Sequence, residues 1–382
     1  MTFNSIYQYN FPTTIRFGAG SSKELGDYLL KNNLSKPLLV TDKTVAQLHF
    51  FKEIVVELQK KNISAEVFSD IHKNPVKSDV YKGTDVYDAT NRDAIIGLGG
   101  GAAIDVARAI VLRVNHREDL FKYDDLIGGD VFVTNDVPHF ITIPTTSGTG
   151  SEVGRSAIIA DDETHQKKIL FSPKLLAKIV FADPLLTMEL PPFITAATGM
   201  DALTHNIEAY LAKMPHPFCE GIALEGISLI SQSLENAVNQ PDLESRSKML
   251  VASMMGAVAF QKGLGVVHSL AHPLSSLLDT HHGLANAINL PYGMEFNIAG
   301  FEHKFKKIAR TLELKEETGQ AVVKYLFEIN SKINIPHKLR DIGVLPEHIE
   351  TLSQLAVADF AYPNNPKPVT QEDFRHLYSK AL

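Results

Sequence analysis

A strand-like run, Asp93-Ala-Ile-Ile-Gly-Leu98, passes directly into Gly99-Gly100-Gly101 and then into a helical stretch from Ala102 to Val111. A strand that ends in glycines and turns into a helix needs a crossover, because only a returning helix lets the next strand pair in parallel. Neighbouring segments fit the same scheme. Lys36 to Asp42, Ser64 to Phe68 and His139 to Ile143 read as short buried strands, and Phe50 to Asn62 has helical spacing. The βαβα order implies a mostly parallel sheet covered by helices. From Pro191-Pro192 onward the pattern changes to helices: Phe193 to Ala212, Phe218 to Gln240, Leu243 to Phe260, Leu264 to Leu278 and more beyond. The expected organisation is an α/β N-terminal domain over residues 1–187 and an all-helical C-terminal domain over 188–382.

Composition narrows the classes of function. The 382 residues carry a formal charge of −7 without long runs of one sign, which argues against nucleic acid or an anionic membrane as partner. Apolar residues make up 44% and charged residues 21%, as in a soluble globular protein. The one cysteine, Cys219, excludes an intrachain disulfide and a cysteine-based zinc site. The first ten residues lack an apolar core of signal-peptide length, and a cytoplasmic protein is expected.

Two loops have the chemistry of a nucleotide site. Gly99-Gly100-Gly101 lets backbone approach a phosphate, and the helix start behind it supplies free N–H groups and a positive dipole end. The match of Gly97 to Ala102 with G-x-G-x-x-A is not a standard dinucleotide fingerprint, since the loop comes late and no acid-ended strand follows it. A tight strand-to-helix turn would look the same. The second loop, Pro144 to Glu152, also follows a strand and is rich in hydroxyls and glycine. It suits phosphate or ribose oxygens, or else a helix start capped by Thr149 or Ser151.

A third constellation is titratable. Asp201 and His205 stand at i and i+4, as do His268 and His272, and Asp279-Thr-His281-His282 follows as a turn into another helix. That spacing puts each pair on one helix face. One carboxylate with several imidazoles suits Fe²⁺ or Zn²⁺, although any one buried histidine is more often structural.

Together these segments closely resemble the iron-containing, or group III, alcohol dehydrogenase family. The matching text is Gly99 to Asp105, Pro144 to Glu152, Asp183-Pro184, Thr198 to Tyr210, Gly263 to Leu274, His282 to Ala287 and Asn365-Pro366, in the family's order over nearly the whole chain. The resemblance implies a dinucleotide-binding domain followed by the helical one, with the active site in the cleft between them. It implies metal ligands at Asp201, His205, His268 and His282. It places His272 near the nicotinamide, off the metal. Asp42 takes the acid that meets the adenosine ribose. Gly100, Gly101, Ala102, Thr145, Thr146 and Thr149 take positions of the pyrophosphate loops, and Asn74, Lys167 and Leu186 take further coenzyme positions. Ala102, Gly154, Ser275 and Lys367 depart from the family's usual residues, and none is an implied ligand.

The expected reaction is reversible hydride transfer between a small primary alcohol or diol and a nicotinamide coenzyme, with a divalent metal as Lewis acid and His272 as candidate proton carrier. Asp42 implies NAD over NADP, because a carboxylate accepts a ribose hydroxyl and repels a 2′-phosphate. Fe²⁺ is the implied metal and Zn²⁺ the alternative. A homodimer or higher homo-oligomer acting on an alcohol or aldehyde is expected, with no nucleic-acid or membrane partner. The rival reading is a dehydroquinate synthase-like lyase that also uses NAD and a metal. It would need a basic substrate pocket, and no Arg/Lys cluster stands near Asp201 or His268 in the sequence.

Overall fold

The structure, a computed structural model, describes residue 11 and residues 13–382. Two compact units account for them. One runs to Thr146 and resumes over Gly150–Glu189; the other holds Ser147–Thr149 and Leu190–Leu382.

The first unit contains strands β1 (Thr14–Phe17), β2 (Pro37–Val40), β3 (Glu66–Phe68), β4 (Ala94–Gly99), β5 (His139–Pro144), β6 (Ser156–Ala160), β7 (Lys167–Phe171) and β8 (Ile179–Ala182). Its helices are α1 (Leu25–Lys31), α2 (His49–Lys60), α3 (Lys77–Ala89) and α4 (Gly101–Asn115). Six strands form one sheet in the order β1-β8-β5-β4-β2-β3, every pair parallel, as the βαβα pattern implied. β4 is buried along its whole length, which is why it reads as a continuous apolar run and not an alternating one. Successive residues still face opposite sides. Leu38, Val40 and Ile95 join the core with α3 and α4, whereas Leu39, Ile96 and Leu98 join the core with α1 and α2.

β6 and β7 form a separate antiparallel pair that the sequence reading did not foresee. The turn between them is held by Asp161, whose Oδ1 accepts the backbone N–H groups of Glu163 and Thr164 at 3.2 and 2.9 Å. Helix α3 was likewise not foreseen. A side chain fully buried in this unit, Arg108 on α4, anchors several segments at once. It donates to Leu175 O (3.2 Å), Ser151 Oγ (2.8 Å), Ser156 O (2.9 Å), Asp105 Oδ1 (3.2 Å) and Ser151 O.

The second unit is helical: α5 (Pro192–Leu211), α6 (Pro217–Asn239), α7 (Leu243–Ala259), α8 (Val266–Leu278), α9 (His282–Asn297), α10 (Glu302–Thr311), α11 (Gly319–Lys332), α12 (His348–Val357) and α13 (Gln371–Ala381). α5 starts with Pro192 in its first turn, where the missing N–H costs nothing. From Gly199 to Leu211 every residue of α5 is buried. A helix covered on all sides must be central, and the polar groups it carries must find partners inside the protein. Among the described residues no single helix is long and apolar enough to cross a membrane.

Candidate metal centre and coenzyme loops

The polar groups of α5 that need partners are Asp201, His205 and Glu208, at i, i+4 and i+7 on one face. They meet α8 and α9. The ligating atoms of Asp201, His205 and His268 all lie within 4.8 Å of one another. His268 Nε2 is 3.0 Å from His205 Nε2, and His282 Nε2 is 3.5 Å from Asp201 Oδ1. Asp201, His205 and His268 are buried, while His282 retains 29% side-chain exposure. His272 stands beside this group with its ring parallel to that of His282, centroids 5.3 Å apart.

Three further residues brace the cluster, and the sequence reading passed over all of them. Glu208 Oε2 accepts from His268 Nδ1 at 2.6 Å, and its Oε1 accepts from Val267 N at 2.7 Å. Helix α8 has no side-chain cap on Gly265, so Glu208 and Asn365 supply acceptors for its first N–H groups; Asn365 Oδ1 lies 3.2 Å from Val266 N. A carboxylate can only accept, so His268 carries its proton on Nδ1 and turns its Nε2 towards His205. Asn286 Nδ2 donates to Asp201 Oδ1 at 2.7 Å. Asp359 holds His272 Nδ1 at 2.8 Å. Glu208 was open to discovery, being three residues after His205 on the same face. Asp359 lies 87 positions from its histidine and has no local signal.

The donor set fits a divalent transition metal. Burial holds His205 far below its ordinary pKa, at about 4, with only part of that drop opposed by Asp201. The ring is therefore the neutral imidazole that a metal requires. Its Nδ1 is buried without a hydrogen-bond partner, an uncommon state for a polar atom in an apolar helix bundle unless the ring has another task. One carboxylate and neutral imidazoles suit Fe²⁺ or Zn²⁺.

The coenzyme candidates belong to the first unit, apart from Thr149. Gly99 has φ 150°, and Gly100 is the residue before the first turn of α4. A Cβ on Gly100 would lie 3.3 Å from Thr146 Cγ2, so the two glycine-containing loops touch here. Thr145 N donates to Gly99 O at 3.0 Å. Gly101 and Ala102 open α4, whose start has no side-chain cap. At the end of the neighbouring strand β2, Asp42 Oδ1 accepts from Thr44 N (2.8 Å) and Val45 N (2.9 Å). Lys43 is turned to Asp70, 2.6 Å away. Asn74 lies in a loop knotted by Asp79, which accepts from His72 N and Val76 N at 3.1 Å each. Lys167 begins β7, outside the six-stranded sheet. Leu186 is 6% exposed and packs in the core with α1 and α2. Thr149 follows Thr145 and Thr146 in the same loop, three positions after Thr146. The capped-helix reading of this loop does not hold: the short turn Ser151–Val153 follows Gly150, with no side-chain cap.

Glu152, in the same loop, is 2% exposed, and its Oε1 has no hydrogen-bond partner among the described residues. Burial pushes its carboxyl up to about 7, against weaker opposing effects of its own backbone N–H and Arg108. The folded state then keeps a proton that the unfolded chain has lost. Its contribution to stability is full below the ordinary carboxyl range near 4.5 and is lost as pH rises through about 7. At roughly 1.4 kcal/mol per unit, the loss is on the order of 3 kcal/mol. Glu152→Gln should therefore gain melting temperature over the wild type at pH 8 and show little advantage near pH 4.5. A pH-independent difference in melting temperature counts against this assignment.

Comparison with known proteins bears on the whole chain. Residues 12–184 match the iron-containing alcohol dehydrogenase family, and residues 195–382 match the C-terminal domain of the Fe-containing alcohol dehydrogenase family. The chain belongs to the iron-containing alcohol dehydrogenases. It is 34% identical to a 4-hydroxybutyrate dehydrogenase of Cupriavidus necator over 97% of this chain and 98% of that protein. An NAD-dependent methanol dehydrogenase of Bacillus methanolicus is 31% identical over 97% and 98%. The crystal structure of a 1,3-propanediol oxidoreductase superposes with a TM-score of 0.95 at 30% identity, covering 99% of this chain and 100% of that one. The protein is thus a metal-dependent, nicotinamide-linked alcohol dehydrogenase, and the dehydroquinate synthase-like reading is not favoured.

Proposed function

We propose that this dehydrogenase interconverts small primary alcohols or diols and their aldehydes, with NAD in preference to NADP, and that Asp201, His205, His268 and His282 hold its metal. The observation that carries the reading is the buried cluster of one carboxylate and two imidazoles, of which His205 is held in the neutral form by burial. A metal held there would supply Lewis acidity at the substrate oxygen. The chain's own groups supply the rest. Glu208 and Asn286 hold two of the ligands in place. Phe260, with its ring centroid 5.3 Å from that of His205, makes the surroundings apolar and suits a short alkyl chain. In the oxidation the carbinol carbon loses hydrogen with two electrons as hydride to the nicotinamide ring, and the hydroxyl proton leaves by way of His272. Atoms and charge balance as alcohol plus NAD⁺ giving aldehyde, NADH and H⁺.

Activity on methanol, ethanol, 1-butanol, 1,3-propanediol and 4-hydroxybutyrate, read as NADH absorbance with metal-replete protein, tests the substrate class. Failure with every short alcohol would leave a metal-bearing binding protein. Fe²⁺ is the proposed metal. Zn²⁺ would be held at least as tightly at equilibrium, so elemental analysis after anaerobic purification decides. A cytoplasmic homo-oligomer is part of the proposal; among the described residues β1 is an edge strand of the sheet, open to pairing with a second copy, and light scattering reads the mass.

Coenzyme preference gives a separate expectation. With Lys43 turned to Asp70, Asp42 has no ion pair among the described residues. The ratio of kcat/KM should favour NAD by about tenfold or more, equivalent to about 1.4 kcal/mol. Asp42→Gly should move the ratio towards NADP, and equal use of both coenzymes by the wild type contradicts the role given to Asp42.

A further inference from the structure

His272 takes its orientation from a residue 87 positions further along the chain. Asp359, just after α12, has a side chain only 10% exposed. Its Oδ2 accepts from His272 Nδ1 at 2.8 Å, and its Oδ1 accepts from Ser269 Oγ at 2.6 Å and Ala361 N at 2.9 Å. Ser269 Oγ in turn accepts from Tyr362 N at 2.9 Å, so the carboxylate is locked to both α8 and its own loop. The His272 ring lies nearly parallel to Phe360 as well as His282, with centroids 5.2 and 5.3 Å away. Both its tilt and its rotation are therefore restrained. Because a carboxylate only accepts, Nδ1 must be the protonated nitrogen, and Nε2 presents a lone pair with no hydrogen bond to any described residue.

We propose that Asp359 is a positioning residue of the dehydrogenase, which fixes the tautomer and angle of His272 so that Nε2 faces the reacting hydroxyl as an acceptor. This rests on the reading of the protein as an alcohol dehydrogenase with His272 beside the substrate oxygen. Asp359 itself touches neither substrate nor metal. Its contribution is geometric: a ring free to flip, or carrying its proton on Nε2, would spend much of its time unable to accept. Asparagine at this position can offer Nδ1 either an oxygen or an NH₂ group, so it no longer selects one tautomer.

The test uses the metal-loaded enzyme. Asp359→Asn should lower kcat about 10- to 100-fold, the range usual for removing the partner of a working histidine. KM for the alcohol, metal content and NADH affinity should stay close to wild type. In a His272→Ala background the same change should cost nothing further, because the group it acts through is gone. An unchanged kcat, or an equal loss in both backgrounds, overturns the proposal. If Asp359→Asn does not fold, Ser269→Ala removes one anchor of the carboxylate and should lower kcat by a smaller factor, again only when His272 is present; equal loss in both backgrounds overturns it. Nitrogen-15 spectra of histidine-labelled wild type with bound Zn²⁺ read the tautomer without turnover. The Nδ1–H form is expected, and an Nε2–H form refutes the role of Asp359 even if the enzyme oxidises alcohols normally. A wild type that binds Zn²⁺ with the expected tautomer but oxidises no alcohol refutes instead the reading on which the role depends.

Discussion

Asp201→Ala or His268→Ala should empty the metal site and abolish turnover. The Lewis acid contributes several kcal/mol to the reaction, and each 1.4 kcal/mol or so is tenfold, so kcat/KM should fall by at least about 1,000-fold. Metal stoichiometry should drop with it. NADH binding should persist, since Asp42 and the loop from Gly99 to Ala102 belong to the other compact unit. Elemental analysis, NADH fluorescence and steady-state kinetics measure the three quantities on one preparation. Asp201→Asn keeps the shape of the side chain, and Asn286 can still reach it, so it separates loss of the ligand from loss of packing. Full metal content with near-normal turnover in these variants would remove Asp201 and His268 from the ligand set.

The second large effect is expected in the other unit. Arg108→Met removes the guanidinium that binds Ser151, Ser156, Leu175 and Asp105. Arginine stays charged in proteins, so the variant leaves Asp105 as an uncompensated buried carboxylate and several carbonyls unmatched. Breaking a buried pair in this way costs about 3–5 kcal/mol. Set against the roughly 5–15 kcal/mol that hold a typical protein together, the loss is large. Denaturant unfolding followed by circular dichroism should register it. Because Arg108 ties the loop ending in Ser151 to α4, the KM for NAD should rise as well, while metal content stays at wild-type level. Arg108→Met combined with Asp105→Asn should recover part of the stability, since the orphaned charge is removed. A single variant as stable as the wild type would mean that the Arg108 contacts are energetically idle.

How much of this was legible in the sequence depended on distance along the chain. The parallel sheet could be read because β4 and β5 are mostly apolar and each leads into a glycine-containing loop. The face of α5 with Asp201 and His205 could be read because four residues make one turn. Glu208 continues that face, yet its nearest neighbours are Ile207 and Ala209, and a single acid in an apolar helix does not announce its partner. β6 and β7 are short and mix polar with apolar residues, so neither periodicity stands out. Asp359 gave no signal, and Asn365 stood out only as part of the Asn365-Pro366 motif, without its partner. Each meets α8 across 87 or 99 positions, and no local rule encodes such a pairing.

Those two late residues set a timetable for the nascent chain. Asp201 and His205 leave the ribosome some 160 positions before Asn365, and α8 follows with its first N–H groups still awaiting the acceptor that Asn365 carries. Synthesis at roughly 5–20 residues per second puts many seconds between the first ligand and the last brace. The sheet unit, whose residues end at Glu189, is fully synthesised well before then. The start of α8 gains its Asn365 acceptor, and His272 its Asp359 partner, only once those residues have emerged, so the bracing of these helices comes late in biosynthesis.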